Sequence, residues 1–545
     1  MNEIFKHYSD ADKKLVNEIT KNNNQRNFYI SLEIIKKRLE SLQNCNTNGD
    51  LLLKIDLAGF LIDIGEEGGI KQAALEGLKL IEDERENIKG LISESSIEYN
   101  LGNAKNTLFK IENEENGAHY YAKDIGYLIE SKNHYWRAYK IDFDERGNIN
   151  PLAMVNLANT LSLCGRTVES LQFYDRVLEK YPSFPQANAS LAKELIWLKN
   201  LSGGFTQSMI YKAYMGYYTA SKAKGIPDWL IKIWQLESER LKKFLNDIKF
   251  DDTTIHKELE ETRNEYQALS PYRKFCITNH LTLSEHSLYC NCAGSRRDDL
   301  LICTPNEAFD SELIPLMEKI LNRLKSEYSF ARLLYFNAIQ DIDSEMTMYD
   351  NEVMFTELYD SEYLGTKSEM IRTSFRLCFG ILDKIARAVC LMFDLADKDE
   401  QIYFESFWNP KKKHPSEKQK TRWDKINSID NISLLALYTQ ATDLNSKSGE
   451  WSFYKSWRNA LEHNQLTLMS NNENNSDIFK IYRNNPSLVT VDKNYFTNKT
   501  LHLLQLTRSA IFNFVFLVRN EVRKTKMEYG KAIEHTFTFK NDKEK

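Results

Sequence analysis

Apolar residues recur at i, i+3, i+4 and i+7 along most of the 545-residue chain, and uninterrupted alternation is rare. The pattern predicts long amphipathic helices joined by short polar breaks. Gly (21) and Pro (10) are scarce, so few positions would interrupt them. The expected fold class is all-α.

A second, longer period lies in the front half. Ala153 to Pro182, AMVNLANTLSLCGRTVESLQFYDRVLEKYP, reads as a helix, a turn at Gly165 and a second helix. Leu157, Ala158 and Leu161 line the first helix. Ser170 is small enough for close helix contact, and Phe173, Val177 and Leu178 form the inner face of the second. A shift of about 34 residues reaches Ala187, where Leu191, Ala192, Leu195 and Leu198 resume the pattern. Tyr99-Asn100-Leu101-Gly102-Asn103-Ala104, with WRAYKID (136–142) closing its second helix, makes another unit. Leu57-Ala58, Gly65 and IKQAALEGLKLI suggest one more. This spacing resembles the tetratricopeptide repeat, about four helix pairs between 51 and 240. Such arrays curve into a solenoid whose concave face holds a protein or peptide partner.

The texture then changes. A connecting segment over 250–315 contains Cys276, His280, His286, Cys290, Cys292 and Cys303. Thiolates and imidazoles are zinc ligands, but Cys290 and Cys292 are one residue apart where two to four is usual, and no second CxxC pair appears. The sequence favours a plain structural segment. Beyond it, apolar spacing predicts helices over 365–395, 432–444, the stretch bearing SWRNALEHN (456–464), and 495–526. A strand-prone connection at 487–492 precedes the last of them. Four principal helices describe a bundle. The expected organisation is an N-terminal helical segment 1–50, a repeat array 51–245, the connector 250–315, a bundle 316–530 and a tail 531–545.

The bundle's third helix carries Arg458, Asn459 and, five residues after the arginine, His463. An arginine and a histidine at this spacing carry little information. With arginine at about one residue in twenty, ten histidines tested at three spacings yield about one chance match. The chain offers two, because Arg273 precedes His280 by seven residues. Position separates them, since Arg273 falls upstream of the bundle in a short mixed segment.

A helical bundle with Arg-x4-His in its third helix resembles the HEPN superfamily. PYRKFCITNHL (271–281), FRLCFGILDKIA (375–386) and LYTQATDL…WRNALEHN resemble, in order, landmarks of a bacterial subfamily in which helical repeats precede the HEPN domain. The resemblance covers about residues 265 to 525. It implies a metal-independent endoribonuclease without cofactor that works as a homodimer, with two motifs facing one cleft. It also implies a role as a toxin or antiviral-defence effector, although some members have lost activity. Arg458, Asn459 and His463 are the implied catalytic residues.

The residue chemistry suits RNA. The ribose 2′-OH is its own nucleophile, so the protein need supply no nucleophile and no metal. A near-neutral imidazole moves the proton. A permanently charged guanidinium grips phosphate oxygens and stabilises the charge that builds on them. Five residues turn a helix by about 140°, so the roots of Arg458 and His463 diverge. Asn464 and the following QLTL predict that the helix ends just after His463.

Charge and hydropathy narrow the rest. A net charge of −5 excludes a generally basic surface, so RNA contact would be local. Lys411, Lys412, Lys413, Lys418, Lys420 and Arg422, with Lys425 and Trp423, form a basic connection that either guides RNA or is a solvated loop. The apolar run 510–518 is too short to span a bilayer, and the N-terminus lacks a signal-peptide pattern. A cytoplasmic protein with no membrane contact and free thiols is expected. The competing function is a non-catalytic adaptor in which both halves bind protein. A nucleotidyl transferase or phosphodiesterase is disfavoured, since neither a glycine-rich phosphate loop nor a carboxylate-metal cluster is apparent.

Overall fold

The computed structural model describes residues 4–42, 47–115, 123–145, 147, 150–202, 204, 206–250, 263–302, 308–309, 313–340, 350, 352–356, 362–410, 413–470, 488–524 and 531–532. Two N-terminal helices, α1 (Asp10–Asn24) and α2 (Phe28–Ser41), precede a run of antiparallel pairs. These are α3 (Asn48–Gly68) with α4 (Lys71–Glu84), α5 (Glu94–Glu115) with α6 (Gly126–Lys140), α7 (Pro151–Leu163) with α8 (Thr167–Lys180), and α9 (Pro185–Ser202) with α10 (Gln207–Ser221). The helix α11 (Asp228–Asp247) packs on α10.

Local chemistry sets the boundaries. Thr47 and Asp50 form a reciprocal capping box at the start of α3, and Asn150 caps α7 ahead of Pro151. Gly165 turns α7 into α8 at φ +76°, and a side chain there would collide with the carbonyl of Ile432 in the bundle. The turn of this helix pair is therefore in contact with the C-terminal half.

The connector holds α12 (Pro271–Thr278) and two short 3₁₀ turns, Glu285–Leu288 and Ala293–Arg296. Then follow α13 (Leu313–Ile339), α14 (Thr366–Met392), α15 (Glu417–Ser428), α16 (Ile432–Leu444), α17 (Phe453–His463) and α18 (Lys493–Lys524). The bundle is larger than the four helices expected from the pattern. The helix α13 lies along α14 and also touches α18, and α15 forms within the basic connection. Between α17 and α18, β1 (Gln465–Met469) pairs in parallel with β2 (Leu488–Asp492), Gln465 opposite Leu488. The strand expected near 487–492 therefore has a partner, and that partner begins two residues after His463.

The expected division into repeat array, connector and bundle crosses a common core. One apolar cluster runs from Tyr135 and Trp136 through the later helix pairs and the connector to Val518. Trp136 meets Phe173 edge-on at 5.6 Å and Trp451 at 5.3 Å. At the centre of the joint, Asp443 of α16 accepts hydrogen bonds from Lys132, from Arg166 Nη1 at 2.5 Å and from Trp136 Nε1 at 3.2 Å. The carboxylate and both cations are fully buried. Two arginines of α18 hold the connector. Arg508 donates to the Thr282 carbonyl and to Ser287 Oγ, both at 2.8 Å, and Arg519 donates to the Ile302 carbonyl at 3.0 Å.

By length and composition α18 is apolar enough to cross a membrane, with a mean hydropathy of 1.4 over its best window, but 89% of that window is buried inside the protein. It is the central core helix. The apolar run 510–518, too short by itself to span a bilayer, is only the middle of this helix.

Candidate active site on the Phe453–His463 helix

The helix α17 is short and strongly two-sided. Tyr454, Trp457 and Ala460 are buried at a three-residue spacing. Trp457 packs on Phe496 at 5.2 Å and Tyr454 on Phe375 at 5.9 Å. The Tyr454 hydroxyl donates to the Lys499 carbonyl at 2.9 Å and lies 2.8 Å from His502 Nδ1. These anchors fix the rotation of the helix and turn Asn459, Glu462 and His463 outward, where all three are exposed.

The helix ends at His463. Asn464 caps it through its backbone N–H to the Ala460 carbonyl, and β1 then carries the chain away. The imidazole therefore stands at the C-terminal, negative end of the helix. Asn459 and His463, four residues apart, share one exposed face.

Arg458 points elsewhere. Its Nη2 donates to Asp383 Oδ2 of α14 at 2.8 Å, and its guanidinium lies 5.2 Å from the Phe379 ring and 5.6 Å from the Tyr403 ring. The side chain keeps 20% exposure. Asp383 is steadied through its other oxygen by the Phe404 N–H at 2.9 Å, and burial pushes its carboxyl up from the ordinary Asp range. The divergence expected from helix geometry is thus realised, with Arg458 on a flank of α17 and Asn459 and His463 on its outer face. Nothing in the sequence assigns Asp383, Phe379 or Tyr403 to the site. Asp383 lies 75 residues from Arg458, and no local pattern couples them.

The competing Arg273/His280 pair is structural. His280 is buried at φ +53°, and its pKa falls to about 3 through desolvation and then the nearby Arg508. Arg273 donates to the Arg296 carbonyl at 3.2 Å.

The basic stretch divides. Lys411 and Lys412 lie outside the described residues, and Lys413 is exposed. Lys418 is paired with Asp394 on the surface, and Lys420 with Glu417 at 2.5 Å. Arg422 corrects the sequence expectation. It is fully buried and donates to Leu395 O at 2.6 Å, Phe407 O at 3.0 Å and Glu400 Oε2 at 2.5 Å. An arginine committed to three internal acceptors does not meet a phosphate; it closes the loop before α15. A capping box between Ser416 and Gln419 starts that helix, so the segment from Glu417 is not a mobile connection.

Comparison with known families agrees with this architecture. Residues 309–521 match the family model described as LA2681-like HEPN. This stretch, from just before α13 to nearly the end of α18, is a HEPN domain, and an all-α N-terminal region precedes it. HEPN domains are associated with ribonuclease activity, RNA binding and dimerisation. No curated protein and no solved structure matches the chain.

Proposed function

We propose that the protein is a metal-independent endoribonuclease in which two HEPN domains place their Arg458, Asn459 and His463 about one cleft. The observation that carries this reading is the anchoring of α17. Its buried tyrosine and tryptophan hold Asn459 and His463 outward at the helix end, while Arg458 is steadied but not fully buried. In one protomer the arginine and the imidazole diverge, so a shared phosphate calls for a second copy. His463 moves the proton of the 2′-OH attack, Arg458 stabilises the phosphorane charge, and Asn459 binds a phosphate or ribose oxygen. Asp383 is a positioning residue for Arg458.

The helix pairs upstream act as a tetratricopeptide-like docking array for a protein or peptide, and they control a toxin or antiviral-defence nuclease. The joint at Asp443 supports coupling, because the paired helices and the bundle cannot move independently without breaking buried ion pairs. Lys413, Lys418 and Lys420 remain candidates for backbone contact to RNA.

The test is cleavage of tRNA, mRNA and rRNA by purified wild type and His463→Ala, with the ends mapped. Cyclic phosphate ends lost in the variant support the reading; uncut RNA under all conditions refutes it. One observation favours the adaptor alternative, in which Arg458 is a structural group satisfied by Asp383. In that case Arg458→Ala would weaken folding, while wild type would cut nothing.

A further inference from the structure

The connector carries a cluster that RNA cleavage leaves unused. Of its six cysteines and histidines between 276 and 303, Cys276 is buried beside Arg332 and Tyr272, and His280 is enclosed near Arg508. Cys303 lies outside the described residues. His286, Cys290 and Cys292 converge instead, and one donor atom from each lies within 4.8 Å of the other two.

Four features of this trio point to an ion. Tetrahedral zinc, with Zn–S about 2.3 Å and Zn–N about 2.0 Å, separates its donors by about 3.5–3.8 Å. His286 Nε2 lies 3.0 Å from Cys292 Sγ, so small side-chain rotations open the trio to that size. The other ring nitrogen, Nδ1, is 3.1 Å from the Tyr289 hydroxyl, an oxygen that can accept its N–H and fix the ring with Nε2 free for a metal. Gly294 faces the cluster, and a Cβ there would stand 3.3 Å from Cys292 Sγ and 3.5 Å from His286 Nε2, in the space an ion needs. All three donors are half-buried, which shields them without closing access. The one-residue spacing of the cysteines counts against zinc only if a regular knuckle is assumed. Here the 3₁₀ turn Glu285–Leu288 brings His286 back onto the pair.

We propose that His286, Cys290 and Cys292 bind a zinc ion that braces the connector between the helix pairs and the HEPN domain. Two sulfurs and one imidazole select zinc over hard cations. The trio supplies three of the four positions, and among the described residues no fourth side chain of these types joins it. Binding forms two Zn–S bonds and one Zn–N bond, releases both thiol protons to solvent and involves no change of oxidation state. The location gives the ion its role. Glu285, next to His286, pairs with Arg519 at 2.8 Å, and Ser287 accepts from Arg508 at 2.8 Å, so the ligand turn is already tied to α18. The inference does not depend on nuclease activity.

The test uses the full chain purified under reducing conditions without added metal. About one equivalent of zinc is expected in wild type and in the Cys276→Ser control, and less than about a tenth of that in Cys292→Ser and His286→Gln. Chelated wild type titrated with cobalt(II) should show a thiolate-to-cobalt charge-transfer band that saturates at one equivalent, and zinc should abolish it. This spectrum needs no variant, so misfolding of a variant does not decide the outcome. Chelation should also lower the midpoint of thermal unfolding, and zinc should restore it. Absence of the cobalt band in reduced wild type, zinc retained by Cys292→Ser, or a Cys290–Cys292 disulfide that blocks both thiols to alkylation in the freshly purified protein would each overturn the proposal.

Discussion

Asp443→Asn tests whether the helix pairs and the bundle fold as one unit. The wild-type carboxylate is fully buried and faces Lys132 and Arg166, both fully buried as well. Glu169 adds a second negative charge through Arg166 at 2.6 Å, so the four groups are balanced. The amide keeps the shape and removes one charge, leaving a net buried cation. The amide oxygen still accepts from one cation, but the amide NH2 faces the other; if that is Lys132, it keeps the Thr439 carbonyl at 3.1 Å and Thr442 Oγ1 at 2.7 Å. Breaking a buried pair in this way costs about 3–5 kcal/mol, a factor of a hundred or more in the folding equilibrium. Urea unfolding at neutral pH, followed by tryptophan fluorescence, measures it, since Trp136 and Trp451 lie in the same joint. The acid limb gives an independent check. Its ion-pair partners hold the Asp443 carboxyl below the usual Asp value, although burial opposes them. Its stability contribution is therefore present above the unfolded-state value and is lost as pH falls through the folded one. The variant should lack that part of the acid transition. A loss under about 1 kcal/mol, the range of exposed pairs, would refute the reasoning.

Other perturbations separate structure from chemistry. Arg422→Ala should destabilise by about 3 kcal/mol, because it takes the cationic partner from Glu400 and a donor from two buried carbonyls, whereas Lys413→Ala and Lys420→Ala should stay within about 0.5 kcal/mol in urea melts. Gly165→Ala combines a left-handed φ with a clash against the Ile432 carbonyl, and should cost more than about 2 kcal/mol by the same assay. His280 is held neutral, with its pKa depressed to about 3, so stability is lost as pH falls from about 6.5 toward 3. His280→Asn, which tolerates the positive φ, should flatten that slope, seen as a smaller drop in thermal midpoint between neutral and acid buffer. Asp383→Asn should lower RNA cleavage about tenfold or more while leaving global stability nearly unchanged, if the carboxylate only positions Arg458.

Local sequence determined that the chain is helical, placed four of the bundle helices and, through Asn464 and QLTL, the end at His463, but it did not resolve α13 and α15. Ile432–Leu444 is the helix the pattern predicts, and α18 is displaced by only two residues from its expected span. These features are local, set by side-chain spacing and by caps such as Asn431, whose side chain accepts from the N–H groups of Ser433 and Leu434. The outward position of His463 came from packing, with Tyr454, Trp457 and Ala460 buried on the other face of its helix.

Tertiary structure alone decided which polar groups meet. Asp383 reaches Arg458, Asp443 reaches Lys132 and Arg166, and Glu400 claims Arg422 from a basic run that looked free on paper. The same holds for His286, Cys290 and Cys292, whose linear spacing argued against a cluster that a 3₁₀ turn assembles. A charged or ligand side chain is specified by its partner, and a partner 75 or 311 residues away leaves no trace in local periodicity. The core helices could be read from sequence because water drives each to bury one face; the partners of the site residues could not, because those contacts depend on how the faces stack.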